Sequence, residues 1–171
     1  AIDRAIAQQP REIRDISGPK IAQTLKDRRN FIVADVMEYY YFLSQTVSIT
    51  GSDKKEQYNI TRNDDGSMLV EVFKITNEGN LSTKMYERKF DPVYTKEIRI
   101  YGFDGDDKFV VTGADDKIKV RMIGGGGADV FENSSKGDGG MVYDRRDGNN
   151  SLTGGFRNKM RNDTIVNSYD R

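Results

Sequence analysis

The chain of 171 residues contains no histidine, and this absence excludes more chemistry than any other feature of its composition. Histidine is the commonest general base, the base of catalytic triads and the usual ligand of catalytic transition metals. Any catalysis would therefore have to use carboxylates, lysine, tyrosine or serine alone. The sequence also has no serine-hydrolase elbow, phosphate-binding loop or dinucleotide-binding fingerprint. We predict that the chain is not an enzyme.

Cysteine is absent as well, which excludes disulfides and thiolate zinc sites. Lysine plus arginine and aspartate plus glutamate both total 27, so no net charge favours nucleic acid or an anionic membrane. No apolar run approaches the length of a membrane-spanning helix, and no signal peptide is visible. The composition thus predicts no nucleic-acid partner and no direct membrane insertion of this segment.

What the chain does have is a repeated motif rich in glycine and aspartate. Residues 102–110 and 124–132 align with the nonapeptide G-G-x-G-x-D-x-U-x of calcium-binding parallel β-rolls, and the second copy fits every fixed position. The first copy has Phe103 in place of the second glycine. A degraded third copy follows at 147–152, with an asparagine at the aspartate position and Leu152 at the apolar position.

Each of the first two copies follows a segment of alternating apolar and charged residues, which is the pattern of a strand with one buried face. A single coil cannot bury that face, so we expect successive coils to stack, with Phe109 and Phe131 in the core. Asp107 and Asp129 are expected to point towards the edge of the stack. Aspartate carboxylates and glycine carbonyls are oxygen ligands suited to calcium. The predicted calcium ligands are Gly102, Asp104, Gly105, Asp107, Gly124, Gly127 and Asp129.

A simpler interpretation is that glycine and aspartate only form the turns.

The periodicity of apolar residues predicts the secondary structure of the rest of the chain. Helical spacing runs to about residue 46, with interruptions at Pro10 and at Ser17-Gly18-Pro19, and with a further helix predicted to start at Asn30. The aromatic cluster at 39–42 is expected to pack in a core. Residues 47–90 then alternate with period two around two turns, beginning with a strand at 47–49, and a last short strand is predicted at 164–166.

These patterns predict an α+β fold, in which N-terminal helices pack on an antiparallel β-meander that is followed by a short β-roll-like or β-helix-like stack. The predicted divisions are a helical segment at 1–46 and a β-meander at 47–92, which together form one domain, then β-roll-like repeats at 93–153 and a polar tail at 154–171.

Several stretches resemble one region of large bacterial envelope proteins. Those proteins resemble a calcineurin-like metallophosphoesterase joined to an outer-membrane surface-antigen β-barrel, and the similar region lies between the two. The resemblance covers roughly residues 31–131, with shorter similar stretches at 143–144 and 167–171. The stretches are Tyr39-Tyr40-Tyr41-Phe42-Leu43, Thr50-Gly51-Ser52-Asp53-Lys54, Tyr86-Glu87-Arg88-Lys89-Phe90-Asp91-Pro92, Thr95-Lys96-Glu97-Ile98-Arg99-Ile100-Tyr101-Gly102 and Ile123-Gly124-Gly125.

The resemblance implies a location and a role rather than an activity. It implies a connector in the periplasm or at the cell surface, associated with the outer membrane, whose partners are the neighbouring domains of a larger envelope protein. A calcineurin-like active site needs a metal cluster that includes histidine, so no catalytic residue carries over to this chain. The leading hypothesis is therefore a non-catalytic structural module of the cell envelope, with calcium as its expected ion.

Two other functions stay open. One is a module that recognises a glycan or a protein through a row of residues on the face of the solenoid, namely Arg99, Tyr101, Lys119 and Arg121. The other, more remote, is a carboxylate-based hydrolase that uses Asp104, Asp106 and Asp107.

Overall fold

The computed structural model describes residues 1–114, 117–146 and 148–161 of the chain. It confirms an α+β fold, with helices followed by mixed β-sheets. The chain divides into two compact units, Ala1–Leu43 and Ser44–Arg171. The boundary predicted between residues 92 and 93 falls inside the second unit, because strands from both sides of it pair in one sheet.

The first unit is formed by three helices, α1 (Ile2–Ala7), α2 (Arg11–Ile16) and α3 (Gly18–Ser44). Pro10 immediately precedes α2, where its missing N–H costs no helical hydrogen bond. Pro19 lies in the first turn of α3, a position for which its fixed φ is suited. The two interruptions predicted from these prolines are confirmed.

The further break predicted before Asn30 is wrong, because α3 continues through it for 27 residues in all. Aspartate, arginine and asparagine each cost less than about 0.7 kcal/mol in a helix interior. No glycine or proline lies between Pro19 and Ser44, so nothing in this segment is strong enough to end the helix.

The two halves of α3 have different surroundings within the helical unit. The first half is covered by α1, with Ala22 buried and Lys26 paired with Asp3 at 2.7 Å. In the second half the rings of Tyr39 and Phe42 stack with their centroids 6.4 Å apart, and these residues are 62% and 67% exposed. The helical unit therefore does not itself provide the core that the sequence predicts for this aromatic cluster.

The second unit consists of short strands joined by turns. Its strands, among the residues that the structure describes, are β1 (Thr46–Thr50), β2 (Glu56–Arg62), β3 (Met68–Ile75), β4 (Leu81–Phe90), β5 (Glu97–Asp104), β6 (Lys108–Gly113), β7 (Lys119–Gly126), β8 (Val130–Asn133), β9 (Met141–Tyr143), β10 (Ser151–Thr153) and β11 (Arg157–Asn158).

These strands form two sheets. The first has the order β1-β5-β7-β9-β11 and is parallel throughout, while the second has the order β10-β8-β6-β2-β3-β4. In the second sheet, β10, β8, β6 and β2 are parallel, and β3 and β4 join antiparallel. The chain therefore passes from one sheet to the other and back. We number its coils 1 to 4, as the pairs β1/β2, β5/β6, β7/β8 and β9/β10.

The core lies between the inward faces of the two sheets. In β5, Ile98 and Ile100 are fully buried, and Arg99 between them is only partly buried, which is the alternation that the sequence predicts for this strand. From the other sheet, the rings of Tyr58, Phe109 and Phe131 stack in register. Their successive centroids are 4.7 and 4.8 Å apart, and the planes differ by 9° and 8°. This aromatic stack is continuous through coils 1 to 3.

The predicted strand at 47–49 does not belong with the antiparallel strands that follow it. It lies in β1, which pairs in parallel with β5 in the other sheet. The antiparallel pairing is confined to β2, β3 and β4, and β3 and β4 are inserted between coils 1 and 2. Because β2 pairs with β3 along one edge and with β6 along the other, this hairpin extends the sheet without interrupting the stack.

The degraded third copy of the motif continues the stack as coil 4. Leu152 pairs with Phe131 at the position that the alignment gives it, although Asp147 lies outside the described residues. The start of the predicted polar tail forms β11, which pairs with β9. The strand predicted at 164–166 also lies outside the described residues.

The turn of coils 2 and 3 offers a matched test of backbone conformation. Phe103 and Gly125 pair in register, with φ of 75° and 109°. A Cβ on Gly125 would overlap the carbonyl oxygen of Phe103. We expect Gly125→Ala to lower the free energy of unfolding by about 2–4 kcal/mol, because the overlap adds to the cost of a positive φ. Phe103→Gly should change it by less than about 1 kcal/mol, because relief of that cost offsets lost ring packing. Urea unfolding measures both, and equal losses would contradict this account.

Candidate functional site

A line of acidic and amide side chains runs along the inside of the coils. Glu56, Asp107, Asp129 and Asn150 stand at the start of β2, β6, β8 and β10, and the parallel register places them at equivalent positions in successive coils. We call these four residues the acidic column. The first three are at most 1% exposed.

Each member after the first accepts a hydrogen bond from the backbone of the preceding coil. The N–H of Glu56 donates to Asp107 Oδ1 at 2.8 Å, and the N–H of Asp107 donates to Asp129 Oδ1 at 2.8 Å. The N–H of Asp129 donates to Asn150 Oδ1 at 2.7 Å. An asparagine can therefore replace aspartate in coil 4, since the position requires only a short side chain with an acceptor oxygen. These bonds fasten each coil to the next.

The opposite wall is a column of glycines, namely Gly51, Gly102 and Gly124, which follow strand residues paired in register. A Cβ on Gly102 would overlap Asp107 Oδ2, and a Cβ on Gly124 would overlap Asp129 Oδ2. The first glycine of each motif copy is therefore required by the close approach of a carboxylate to the backbone.

In coil 4 the corresponding position is occupied by Asp144. It follows Tyr143, which pairs with Ile123, so Asp144 lies opposite Gly124. Its Oδ1 accepts the N–H of Arg145 at 2.6 Å, and its Oδ2 points back to Gly124, where a Cβ would overlap it. The carboxylates of Asp129 and Asp144 thus approach the same point from neighbouring coils.

Among the described residues, three buried oxygens in this region have no hydrogen-bond donor. They are the Oδ2 atoms of Asp107, Asp129 and Asp144, and the three residues are 1%, 0% and 1% exposed. Burial raises the pKa of Asp107 to about 8, against the lowering effect of its bond from Glu56. Burial, together with the neighbouring charge of Asp144, raises the pKa of Asp129 to about 8. Burial also raises the pKa of Asp144. A charged carboxylate is thus disfavoured at all three positions.

The first member of the acidic column is different, because donors surround its carboxylate. Glu56 accepts the N–H of Ser52 at 3.0 Å, the hydroxyl of Ser52 and the hydroxyl of Tyr58 at 3.3 Å. Burial and the nearby charge of Asp107 raise the pKa of Tyr58, so this hydroxyl keeps its proton and can donate. The uncompensated oxygens are therefore concentrated in coils 2 to 4.

Four of the seven predicted calcium ligands lie together in this region. Asp107 and Asp129 face Gly102 and Gly124 across the inside of the turn. The prediction that the two carboxylates point towards the edge of the stack is wrong, since both are buried. The reason is the absence of side chains on the glycines, which leaves the carboxylates space on the inside.

The other three predicted ligands lie apart from this group. Asp104 is exposed, and its carboxylate lies against Gly126. Gly105 and Gly127 have φ of 122° and 124° and stack on each other, with the N–H of Gly105 donating to Gly126 O at 2.9 Å. Across residues 1–114, 117–146 and 148–161, no group of three or more histidine, cysteine, aspartate and glutamate side chains is arranged to hold a metal ion.

The repeated motif does not reveal Glu56 and Asp144 as members of the site. Glu56 is 51 residues from Asp107, whereas Asp107 is 22 from Asp129, so the inserted hairpin hides the repeat. Asp144 replaces a glycine and so departs from the motif. The signal that could have revealed it is the apolar strand before it, because Met141-Val142-Tyr143-Asp144 aligns with Arg121-Met122-Ile123-Gly124.

Two of the four residues proposed for recognition, Arg99 and Arg121, are engaged in ion pairs within the protein, whereas Lys119 is exposed. Glu97 Oε1 lies 2.6 Å from Arg99 Nε and 3.0 Å from Arg121 Nε. Arg121 also donates to the hydroxyl of Tyr143 at 3.0 Å. The structure places Tyr101 among the buried residues, at 7% exposure, rather than on the face of the solenoid.

The acids proposed for hydrolysis do not share one surface. Asp104 and Asp106 are exposed, and Asp106 is paired with Lys55 at 2.5 Å. Asp107 is buried on the inside of the turn.

No family model matches the chain, and neither the curated proteins nor the solved structures include a match to it. Among the described residues, no helix is both long enough and apolar enough to cross a membrane.

Proposed function

We propose that this chain is a non-catalytic structural module, a connector within a bacterial cell-envelope protein. The observation that carries the proposal is the use of polar side chains in the acidic column. Asp107, Asp129 and Asn150 each bind the backbone of the preceding coil, so their chemistry serves to hold coils together. A module built in this way resists bending and extension, because sliding one coil would break backbone and side-chain bonds at once.

We also propose how the elements of the fold are arranged. The coils form a β-roll-like stack, β2 to β4 form the antiparallel meander, and the N-terminal helices, as the sequence predicts, pack on this meander. The exposed aromatic half of α3 supports an interface on the helices, since large apolar surfaces left exposed usually mark one. The envelope location, periplasmic or at the surface and associated with the outer membrane, rests on the sequence resemblance. Calcium between the Asp107 and Asp129 turns belongs to the same proposal.

Recognition of a glycan or a protein is the less favoured alternative. Arg99 and Arg121 are both bound to Glu97, so a ligand would have to break existing ion pairs before it could use them. Hydrolysis is less favoured still, because the exposed acids and the buried Asp107 do not face one space.

Hydrogen exchange tests whether the column makes the coils rigid. The amides of Glu56, Asp107 and Asp129 should exchange only through global unfolding, as expected for a cooperative stack. Asn150→Ala removes the acceptor for the Asp129 N–H and should cost about 1–3 kcal/mol, with faster exchange in coils 3 and 4. Its exposed neighbour provides the control, since Asn149→Ala should leave exchange unchanged. Fast exchange at the three amides of the native protein would refute a rigid connector.

A second experiment tests location and role in cells. The protein that contains this chain should fractionate with the outer membrane. Replacing the chain by a flexible glycine–serine linker of equal residue number should impair that protein, whereas the Asn149→Ala control should not. Recovery in the cytosol, or full function with the flexible linker, would contradict the proposed connector.

A further inference from the structure

The carboxylates of coils 3 and 4 form a contact that needs a positive charge. Asp129 and Asp144 are both buried, and the Oδ2 atom of each approaches the same glycine, Gly124. Neither Oδ2 atom has a well-aligned hydrogen-bond donor among the residues that the structure describes, although the Gly125 N–H and the Asn150 side chain also interact with the Asp144 carboxylate. Two buried carboxylates that face each other repel strongly, and burial makes each charge more costly. The arrangement is stable only if something neutralises them.

The nearest further oxygens are also acceptors. A Cβ on Gly102 would overlap Asp107 Oδ2 and would lie 2.6 Å from the carbonyl oxygen of Gly124, so these two oxygens are close to each other. Asp107 Oδ2 likewise has no donor among the described residues. From coil 2 to coil 4 there is therefore a run of carboxylate and carbonyl oxygens that point inwards. Hard cations such as calcium bind carboxylate and carbonyl oxygens of this kind.

We infer that Asp129 and Asp144 together bind one calcium ion at Gly124, with the Gly124 carbonyl as a further oxygen on the side of coil 2. A single divalent ion would neutralise the two carboxylates of coils 3 and 4. Calcium fits better than magnesium, because magnesium retains several waters and these carboxylates are fully buried, whereas calcium accepts carboxylates and carbonyls in flexible geometry. This inference rests on the proposed structural role and names the residue that the repeated motif does not supply.

The position of Asp144 determines where the ion binds. In coils 1 to 3 the wall opposite the acidic column is glycine, and only coil 4 places a second carboxylate there. The calcium site is therefore at the end of the stack rather than at each motif turn. Asp104, which the motif also proposes as a ligand, is exposed and lies away from it.

The test compares the melting temperature of the whole chain in excess calcium with that in chelator, at pH 7.5. Calcium at about a hundredfold above its dissociation constant should raise the melting temperature by roughly 5–10 °C. Asp144→Asn keeps the shape and removes one charge, and it should abolish the rise. Asp144→Gly restores the glycine of the other coils and should do the same. Asp104→Asn is the control and should retain the full rise.

The stoichiometry provides a second measurement that does not depend on the variants. Native mass spectrometry should show one bound calcium in the unmodified chain and none in Asp144→Gly. No rise and no bound ion in the unmodified chain would overturn the inference and leave shared protons as the neutralising charge. A rise retained in Asp144→Gly but lost in Asp104→Asn would also overturn it, by placing the ion in the exposed turn. Either result leaves the connector proposal standing, since that is decided by hydrogen exchange and linker replacement.

Discussion

Replacement of Phe109 by alanine is expected to lower the free energy of unfolding by about 3–5 kcal/mol, enough to unfold much of the protein at 37 °C. Phe109 is fully buried and lies between the rings of Tyr58 and Phe131, at 4.7 and 4.8 Å. The substitution leaves a cavity and removes two ring contacts at once. The neighbouring coils cannot close onto this space, because strand pairing on both sides fixes their spacing.

Urea unfolding followed by circular dichroism measures this loss. Val93→Ala is the control, since that side chain is exposed and its loss should cost less than about 0.5 kcal/mol. A cost for Phe109→Ala as small as that of the control would mean that the rings do not stack as described.

In the presence of chelator, stability is expected to fall as the pH rises from about 4 to about 8. In the folded state the pKa values of Asp107 and Asp129 are raised to about 8 from the ordinary 3.8. Between these values the folded chain binds more protons than the unfolded chain, so rising pH favours unfolding. The contribution of the protonated carboxyls is complete below about pH 4 and is lost as the pH passes about 8. Because both groups lose their protons in the same range, the loss of stability should be steepest near pH 8.

Melting temperatures measured across this range test the prediction. Asp129→Asn should flatten the profile and raise the melting temperature at pH 8, because the amide stays neutral. Asp106→Asn is the control, because this carboxylate is exposed, and the Lys55 ammonium together with the Ala128 N–H lowers its pKa. Calcium should also flatten the profile, since an ion competes with protons for the same oxygens. Stability that increases from pH 5 to pH 8 in chelator would show that the carboxylates are charged when buried.

The parts of the fold that sequence could predict are those with a local, repeated signal. The alternation around Ile98 and Ile100 and the fixed spacing of Phe109 and Phe131 predict strands whose equivalent residues lie side by side, and the pairing is as that spacing requires. The hairpin strands were also predictable, because their turns carry asparagine, aspartate and glycine.

The errors arose where the decisive interaction is not local. Whether Asp107 points outwards or inwards depends on the missing side chain of Gly102, a residue in the facing strand. The partner of β1 is β5, beyond the inserted hairpin, so nearest-neighbour reasoning placed β1 in the wrong sheet. The role of Asp144 could not be read from the motif, because it depends on replacing the glycine that defines the motif.

The fixed spacing between paired strands gives the stack a discrete length. Neighbouring strands in a sheet are about 4.8 Å apart, and each turn between Asp107 and Asp129 takes 22 residues. Duplication or deletion of one such segment would lengthen or shorten the protein by one fixed step and leave every register intact. A longer insertion can leave the stack sideways, as β3 and β4 do. The length of the stack therefore changes in steps of one coil, and evolution can alter the distance it spans only by adding or removing whole coils.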